Sequence, residues 1–427
     1  MKAGVLRAAG TGFFIAIRYL LGRAHEGGRY LRGAAGGIAL SLIPIMVTLI
    51  VADGMIRGIT DRFLELGTGH IQVYNFLDPG KPDKGIDAIR KLDGIRGIWS
   101  EQRGAGVLVG KKGKTGATIR GIDPSFWEDE GSAQYLVTLA GESHPATERD
   151  VVLGQGLAEN IGAGVGDMIR IMTIRTTEDG RNIPRVTSFT VRGIVSSGYR
   201  ELDSLWCITT WEGGTRVLPP ELSSSYLVVK IDDPYGNADK MAIRIGSALE
   251  AGYGVFTWKE LQKSQYSSYE STRQLLLFIM ALIVIVAAVN VSSATSMLVI
   301  ERQRDIAVLK AAGASPRDTE RIFLWGSFLT GLTGAVAGIT LGLFLGYFIN
   351  PIIRGLERVL SFFSSLFHQG EVKILDPGYY LETIPVIIDW STVFLIGLFT
   401  ILCSIIASWI PARQAGKLKP LDLLRKY

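Results

Sequence analysis

The sequence predicts a membrane α-helical bundle of four transmembrane helices, with a large α+β extracytoplasmic domain between helices 1 and 2. Four uncharged apolar runs cover residues 34–52, 275–300, 322–349 and 390–411. Each is long enough to cross a hydrocarbon core of about 30 Å at about 1.5 Å per residue. The chain from 53 to 274 has no such run and alternates short β-like segments with Gly, Pro and Asp turns, which is typical of a folded soluble domain.

The composition excludes both a single soluble domain and a chain that lies wholly in the membrane. Hydrophobic residues make up 47% of the 427 residues, yet charged residues still make up 20%. The net charge is only +5, and no basic cluster of the kind that binds nucleic acid is present, so we expect no nucleic-acid partner. Cys207 lies in the soluble part and Cys403 in an apolar run, so we expect neither a disulfide nor a zinc site.

Basic residues predict the orientation of the chain, because Lys and Arg accumulate in short cytoplasmic segments. Residues 1–33 carry six of them, 301–321 carry five and 412–427 carry five, whereas the longer segment 350–389 carries three. We therefore expect residues 1–33, 301–321 and the tail 412–427 in the cytoplasm, and the domain 53–274 and the loop 350–389 outside. Residues 1–33 read as an amphipathic helix on the inner membrane surface, with a cleaved signal peptide as the alternative.

The first and second spanning helices are expected to continue beyond the membrane as a pair of stalks. Apolar residues at helical spacing extend the first helix through 55–66, and the polar stretch 257–274 leads into the second. Pro44 should kink the first helix. Between the stalks we predict strands at 70–74, 106–109, 117–122, 151–153, 168–174, 188–195, 205–209 and 226–231, and helices at 86–92, 155–161 and 238–251.

The segment 301–321 between the second and third spanning helices is a charged elbow. Its charges of both signs keep it out of lipid. Gly313 is suited to end a helix, Ser315 to cap the next one, and Pro316 to occupy that helix's first turn. The pattern predicts two short helices around a Gly-Ala-Ser-Pro corner.

The third spanning helix carries glycines at every fourth position, which places them on one stripe that another backbone can approach closely. These glycines are Gly334, Gly338, Gly342 and Gly346. The stripe fits either helix packing within one bundle or an interface between subunits.

We find no catalytic constellation, no metal site and no cofactor site. Gly113-Lys114-Thr115 lacks the earlier glycine of a phosphate-binding loop, and 162–167 fails the dinucleotide pattern at its last position, so both are better read as turns. Metalloprotease and serine-hydrolase motifs are absent, and the four histidines are scattered. The sequence therefore predicts a protein that is not an enzyme and that does not itself power transport.

Several stretches together resemble the lipoprotein-releasing (Lol) ABC permeases. These are Phe-Ile-Ala-Ile-Arg-Tyr-Leu at 14–20, the segments 283–293, 297–302 and 305–316, Asp-Pro-Gly-Tyr-Tyr at 376–380, Ile-Pro-Val at 384–386, and the ending 410–425. Their order and spacing match over nearly the whole chain. The elbow alone indicates the broader FtsX/MacB-type permeases, and the other stretches favour the Lol branch. Departures are Trp-Ile-Pro-Ala-Arg at 409–413 in place of Tyr-Pro-Ala-Trp-Arg, and Lys426-Tyr427 in place of Tyr-Glu.

The resemblance implies a transporter permease of the bacterial inner membrane. It would pair with a second permease as a homodimer or heterodimer and bind two cytoplasmic ABC ATPase subunits, which hold the ATP and Mg²⁺. The complex would pass lipoprotein substrates from the membrane lipid to a periplasmic lipoprotein carrier. In the family a protruding hook of the outer domain grips that carrier, and the corresponding hairpin here is 172–186. Its candidate residues are Arg175, Arg181, Pro184 and Arg185, and a plain solvated hairpin is the alternative.

The resemblance also implies that the elbow is a coupling helix which docks in the ATPase. Its candidate residues are Glu301, Arg302, Arg304, Asp305, Ile306, Leu309, Lys310, Gly313, Ser315, Pro316 and Arg317. Ile306 and Leu309 would add an apolar contact to this docking face. The first two spanning helices are the expected walls of an apolar path for lipoprotein acyl chains. The residues on that path are Leu40, Pro44, Val47, Ile279 and Ile283.

Two other functions remain open at this stage. A MacB-like permease would export peptides or drugs with an adaptor protein, and an FtsX-like permease would regulate cell-wall hydrolases without transport.

Overall fold

The computed structural model describes residues 14–17, 27–78, 85–176, 181–366, 381 and 383–418. The chain forms two compact units. The membrane unit contains Met1–Gly54, Glu270–Leu360 and Ile384–Tyr427, and the soluble unit contains Met55–Tyr269 and Ser361–Thr383. Most of the predicted amphipathic segment 1–33 and the tail beyond residue 418 lie outside the described residues, as do the Asp-Pro-Gly-Tyr-Tyr stretch at 376–380 and the hairpin tip at 177–180.

The helices are numbered in chain order over the described residues. They are α1 (Gly27–Arg62), α2 (Ile86–Arg90), α3 (Glu130–Tyr135), α4 (Gln155–Ile161), α5 (Arg200–Asp203), α6 (Trp211–Val217), α7 (Ala238–Ala248), α8 (Trp258–Leu261), α9 (Lys263–Glu301), α10 (Gln303–Ala311), α11 (Pro316–Tyr347), α12 (Ile349–Leu366) and α13 (Trp390–Lys417). A π-helical turn, Phe63–Thr68, follows α1.

The strands all belong to the soluble unit. They are β1 (Ile71–Asn75), β2 (Ile95–Val109), β3 (Lys114–Ile122), β4 (Val137–Gly141), β5 (Asp150–Gly154), β6 (Met168–Thr176), β7 (Asn182–Ser196), β8 (Trp206–Thr210), β9 (Ser223–Ile231) and β10 (Tyr253–Thr257). The eight predicted strands are confirmed, and β4 and β10 are additional. β4 was missed because it is exposed along its whole length, which leaves no alternation of buried and exposed residues to recognise.

Six strands of the soluble unit close into a ring. β2 pairs with β3, β3 with β8, β8 with β5, β5 with β7, β7 with β6, and β6 returns to β2. Closure depends on the length of β2, whose 15 residues reach both β9 at one end and β6 at the other. Alternate residues of the ring point inward and form one core, which includes Leu108, Ile119, Leu153, Ile171 and Phe189.

The sheet extends beyond this ring in the order β2, β9, β1, β10. Helices α2 and α7 contribute Ile89 and Ile245 to the apolar cluster on this part of the sheet, together with Val73, Leu227 and Val229. This α+β organisation is the one that the sequence predicts.

A buried lysine joins the π-helical turn after α1 to the sheet. The ammonium of Lys230 in β9 is fully buried and donates to Glu65 Oε2 at 2.5 Å and to Asp129 Oδ2 at 2.8 Å. Burial would raise the pKa of Asp129, but its hydrogen bond with Lys230 and the lysine charge outweigh burial and hold that pKa below its usual value. His70 and Arg96 also contact Glu65. The network fixes this turn against the strand by charge as well as by packing.

The membrane unit is built on α1, α9, α11 and α13, whose apolar stretches are all long enough to cross a bilayer. Their common core includes Leu42 and Met46 of α1, Val284 of α9, Ala335 of α11 and Ile396 of α13. Helix α1 continues through Pro44. This part of the fold is the four-helix bundle that the sequence predicts.

Two expectations about the membrane unit are wrong in detail. The elbow has only one short helix, α10, because the second one continues without interruption into the spanning helix α11. The segment predicted as a loop, 350–389, begins within an 18-residue helix, α12. Its charged residues Arg354, Glu357 and Arg358 rule out a spanning helix but are compatible with an amphipathic one, which a search for uncharged apolar runs does not detect.

Candidate functional site

The elbow is held in shape by the local motifs that the sequence indicates. Gly313 adopts φ +98°, a left-handed conformation in which a side chain would be strained, and it ends α10. Ser315 caps α11, because its hydroxyl oxygen accepts from the Asp318 amide at 3.2 Å while the Asp318 carboxylate accepts from the Ser315 amide. Pro316 occupies the first turn of α11. The predicted corner and cap are confirmed.

One face of α10 packs into the bundle. Ile306 and Ala307 are each 1% exposed, and they belong to a cluster that includes Phe323 of α11 and Ala412 of α13. From the same face, the ammonium of Lys310 donates to the carbonyl oxygens of Gly416 at 2.7 Å and Leu418 at 2.6 Å. Desolvation lowers the pKa of this lysine. These carbonyls end α13, where a cation is favourable.

The start of α11 and the end of α13 are also in direct contact. A Cβ on Gly416 would lie 2.7 Å from the carbonyl oxygen of Pro316, so only glycine allows this approach. Nearby, the Trp409 indole donates to Glu320 at 3.1 Å. The elbow, the first turns of α11 and the last turns of α13 are therefore joined by direct contacts.

The outward face of the elbow is exposed and carries charge. Its exposed residues include the candidates Glu301, Arg304, Gly313, Ser315, Pro316 and Arg317, together with Val308. Arg302 forms an ion pair with Asp305 at 3.1 Å, and Leu309 is half-buried. Of the candidate docking residues, Ile306 is buried in the bundle and Lys310 is half-buried against the end of α13. Val308, which is 59% exposed, is the apolar side chain on the outward face.

The glycine stripe of α11 packs against α1 of the same chain. Cβ atoms built on Gly334, Gly338 and Gly342 would lie 2.6–2.8 Å from the Cβ atoms of Ile38, Leu42 and Met46. A Cβ on Gly346 would meet Ile50. All four glycines are buried in the isolated chain. Of the two interpretations left open by the sequence, packing within one bundle is the one that this geometry supports.

A charged cluster that the sequence analysis missed lies where α1, α9 and α13 approach one another. The guanidinium of Arg273 donates to Asp53 at 3.0 Å and to Asp389 at 2.8 Å, and Asp389 also caps α13. Each of these three residues lies at the end of a different apolar run. A charged residue in that place is the only indication of the cluster that the sequence contains.

The candidate residues of the apolar path lie on two of the four core helices. Leu40 is 72% exposed, Pro44 is exposed and Val47 is half-buried, all on α1. On α9, Ile279 and Ile283 are 43% and 38% exposed. The opposite faces of both helices supply the buried core, so these five side chains are available to lipid, to substrate or to a second subunit.

The hook hairpin (172–186) is formed by β6 and β7, which pair from Met168↔Thr190 to Thr176↔Asn182. Only residues 170–172 of β6 also pair with β2, so the hairpin extends beyond the ring as a two-stranded ribbon. Arg175, Arg181 and Pro184 are exposed, and Arg185 is half-buried. Ile174, Ile183 and Val186 are each 51% exposed, so the described part of the ribbon offers an apolar surface beside its arginines.

The motifs rejected as nucleotide sites are turns, as expected. Gly113 precedes β3, and Gly162 ends α4 with φ +65°. No group of three or more potential metal ligands occurs among the residues that the structure describes.

Comparison with known families covers most of the chain. Residues 33–239 match the MacB-like periplasmic core domain, and residues 277–420 match the FtsX-like permease C-terminal domain. The chain thus combines a MacB-like periplasmic core domain with an FtsX-like permease C-terminal domain. The soluble unit is thus the extracytoplasmic domain of a multi-pass membrane permease, and the elbow lies within the FtsX-like part.

The permease is similar over nearly its whole length to proteins of the Lol branch. It is 28% identical to the lipoprotein-releasing system transmembrane protein LolC of Neisseria meningitidis serogroup B, over 96% of this chain and 98% of that protein. It is 24% identical to LolE of Haemophilus influenzae, over 98% of this chain and 100% of that protein. The macrolide export protein MacB of Salmonella paratyphi A is 27% identical, but over only 48% of this chain and 28% of MacB.

Proposed function

We propose that this permease releases lipoproteins from the bacterial inner membrane to a soluble periplasmic carrier. The single observation that carries the proposal is the end-to-end similarity to LolC and LolE, which are named as transmembrane proteins of lipoprotein-releasing systems. The MacB match covers 28% of MacB, a protein whose name combines ATP-binding and permease functions. Full-length correspondence therefore favours lipoprotein release over MacB-like export.

In this proposal the chain transmits force and does not hydrolyse ATP. Two cytoplasmic ABC ATPase subunits bind ATP and Mg²⁺, and a second permease completes the complex. The ATPase docks on the outward face of the elbow through Arg304, Val308 and Arg317, which are all exposed. Since Lys310 and Ile306 join α10 to α11 and α13, closure of the ATPase moves these helices together.

The extracytoplasmic end of the mechanism rests on the hook hairpin and on α9. Helix α9 runs from Lys263 to Glu301 without interruption, and we propose that it carries displacement along its axis. We propose that the acyl chains of the substrate move along Leu40, Pro44, Val47, Ile279 and Ile283. The arginines and exposed isoleucines of the hook hairpin then bind the carrier.

The proposal is tested by depleting the permease in its native cell and following newly made lipoproteins. We expect outer-membrane lipoproteins to accumulate in the inner membrane, and the purified complex to contain an ABC ATPase. Correct lipoprotein sorting together with a division defect would instead support an FtsX-like regulator. Co-purification with an adaptor protein, with lipoproteins sorted normally, would support a MacB-like exporter.

A further inference from the structure

The helix α12 leaves its apolar side exposed, whereas a helix in a water-soluble domain buries that side. At 100° per residue, Ile352, Leu356, Val359 and Leu360 fall on one half of the helix and Asn350, Arg354, Glu357 and Arg358 on the other. The four apolar side chains are 42%, 49%, 52% and 37% exposed. A surface of this kind facing water would be unfavourable, so it requires an apolar partner.

The first turn of α12 is fixed to the rest of the membrane unit through Asn350. The side-chain amide of Asn350 donates to the Ile384 carbonyl oxygen at 2.9 Å and accepts from the Ile384 amide at 3.0 Å. Ile384 is buried, and a Cβ on Gly54 of α1 would lie 2.1 Å from the neighbouring Pro385 carbonyl oxygen. This double hydrogen bond fixes the rotation of the first turn of α12 about the helix axis. The exposure of the apolar face therefore follows from specific contacts of the fold.

The position of α12 in the chain, directly after a spanning helix, indicates that lipid covers this apolar face. Helix α12 begins two residues after the spanning helix α11 ends at Tyr347. At this junction Phe344 and Tyr347 are 57% and 65% exposed, and both rings pack against Phe348. Aromatic residues at the end of a spanning helix are typical of the membrane–water interface. The apolar face of α12 thus continues the lipid-facing surface of α11.

We propose that α12 is an in-plane membrane helix, which lies in the outer leaflet of the bilayer with Leu356 and Val359 among the acyl chains. Its charges exclude a transmembrane path, and its 18 residues on one amphipathic pattern suit the interface. Arg354 and Arg358 at the polar half would reach the lipid phosphates. The inference is independent of the substrate, since it concerns only how the outer end of the bundle meets lipid.

The test is a spin-label accessibility measurement on the full chain in lipid nanodiscs. Cys403 is replaced by alanine. Cys207 stays, because it is fully buried and burial raises the pKa of its thiol to about 12, which suppresses labelling. Nitroxides are then placed by Leu356→Cys or Val359→Cys on the apolar half, and by Arg354→Cys or Arg358→Cys as matched controls. Two positions on each half guard against one variant that fails to fold.

We expect labels at 356 and 359 to be severalfold more accessible to oxygen, relative to a water-soluble nickel complex, than labels at 354 and 358. Equal ratios on the two halves would place the apolar face in water and overturn the proposal. Labels at 356 and 359 that are immobile and shielded from both reagents would also overturn it, since they would show that a second copy or another protein covers the face.

Discussion

The ammonium of Lys310 lies 2.7 Å from the carbonyl oxygen of Gly416, a residue 106 positions later in the chain. This contact joins the elbow to the end of α13. With a second hydrogen bond to the Leu418 carbonyl oxygen, it uses two of the three donors of the lysine. Together with the buried Ile306, it packs the elbow against the spanning helices.

Replacing Lys310 by methionine should destabilise the membrane unit. The change keeps most of the apolar stem but removes two charge-assisted hydrogen bonds, which are together worth about 1–3 kcal/mol at a partly exposed site. We expect a lower apparent Tm of the purified full chain in nanodiscs. Arg317→Met is the matched control, because Arg317 is exposed on the outward face, and it should leave the apparent Tm unchanged. Equal Tm values for both variants would contradict the role given to Lys310.

Gly338→Ala should separate α11 from α1. The added methyl would lie 2.8 Å from Leu42 Cβ and 2.9 Å from the Ala39 carbonyl oxygen, and overpacking of this kind costs about 1–3 kcal/mol. Gly36→Ala is the control, since a Cβ there meets nothing within 4 Å and alanine favours the helix. We expect less folded protein by size-exclusion chromatography for Gly338→Ala alone. The same folded yield from both variants would show that the stripe is not closely packed in the chain.

Lys230→Met should strongly destabilise the soluble unit, because it leaves Glu65 and Asp129 charged without their main buried partner. Breaking a buried pair in this way costs about 3–5 kcal/mol, which corresponds to a decrease in Tm on the order of 10 °C. Arg216→Met removes the more exposed pair with Glu148 and should cost under about 1 kcal/mol. Thermal unfolding of the full chain compares the Tm of the two variants. An equal decrease in Tm for both would show that the buried network of Lys230 contributes no more than an exposed ion pair.

The effect of Lys230→Met should also depend on pH. The folded-state pKa of Asp129 is held below its unfolded value of about 3.9, so its contribution to stability is present above that pH. The contribution is lost as the pH falls through the folded pKa. We therefore expect the Tm difference between the wild type and Lys230→Met to narrow below about pH 4. A difference that stays constant through this acid range would show that Asp129 titrates as it does in the unfolded chain.

Arg175→Glu should impair transfer to the carrier if the hook hairpin binds it. Arg170→Glu is a matched control on the same strand, since Arg170 is exposed but lies where β6 pairs with β2. We expect capture of the carrier by the purified complex to fall for Arg175→Glu and to persist for Arg170→Glu. Undiminished capture by Arg175→Glu would favour the plain solvated hairpin.

The sequence predicts those features of the molecule that are set by residues close to one another along the chain. The cap at Ser315, the turn at Gly313 and the spanning helices follow from local chemistry and apolar length. Lys310, in contrast, could be assigned only a surface role, because its carbonyl partners come from a helix more than a hundred residues away. Helix α12 was read as a loop, because an amphipathic pattern interrupted by Arg354 and Arg358 gives no spanning run.

The buried charges were missed for the same reason. Lys230 lies at the end of a predicted strand, where a lysine is ordinarily exposed, and its partners Glu65 and Asp129 come from two distant segments. Only the tertiary fold brings the three together.

The central claim is that a push on the outward face of the elbow drives lipoprotein release, and Arg304→Glu tests it most directly. Arg304 is exposed and its reversal leaves the inward contacts of Ile306 and Lys310 intact. ATP hydrolysis and lipoprotein release are measured together in the reconstituted complex, with Lys240→Glu in the soluble unit as a control of equal charge change. The account predicts that Arg304→Glu lowers release per ATP hydrolysed, whereas Lys240→Glu does not. Release per ATP at the wild-type level in Arg304→Glu would contradict it.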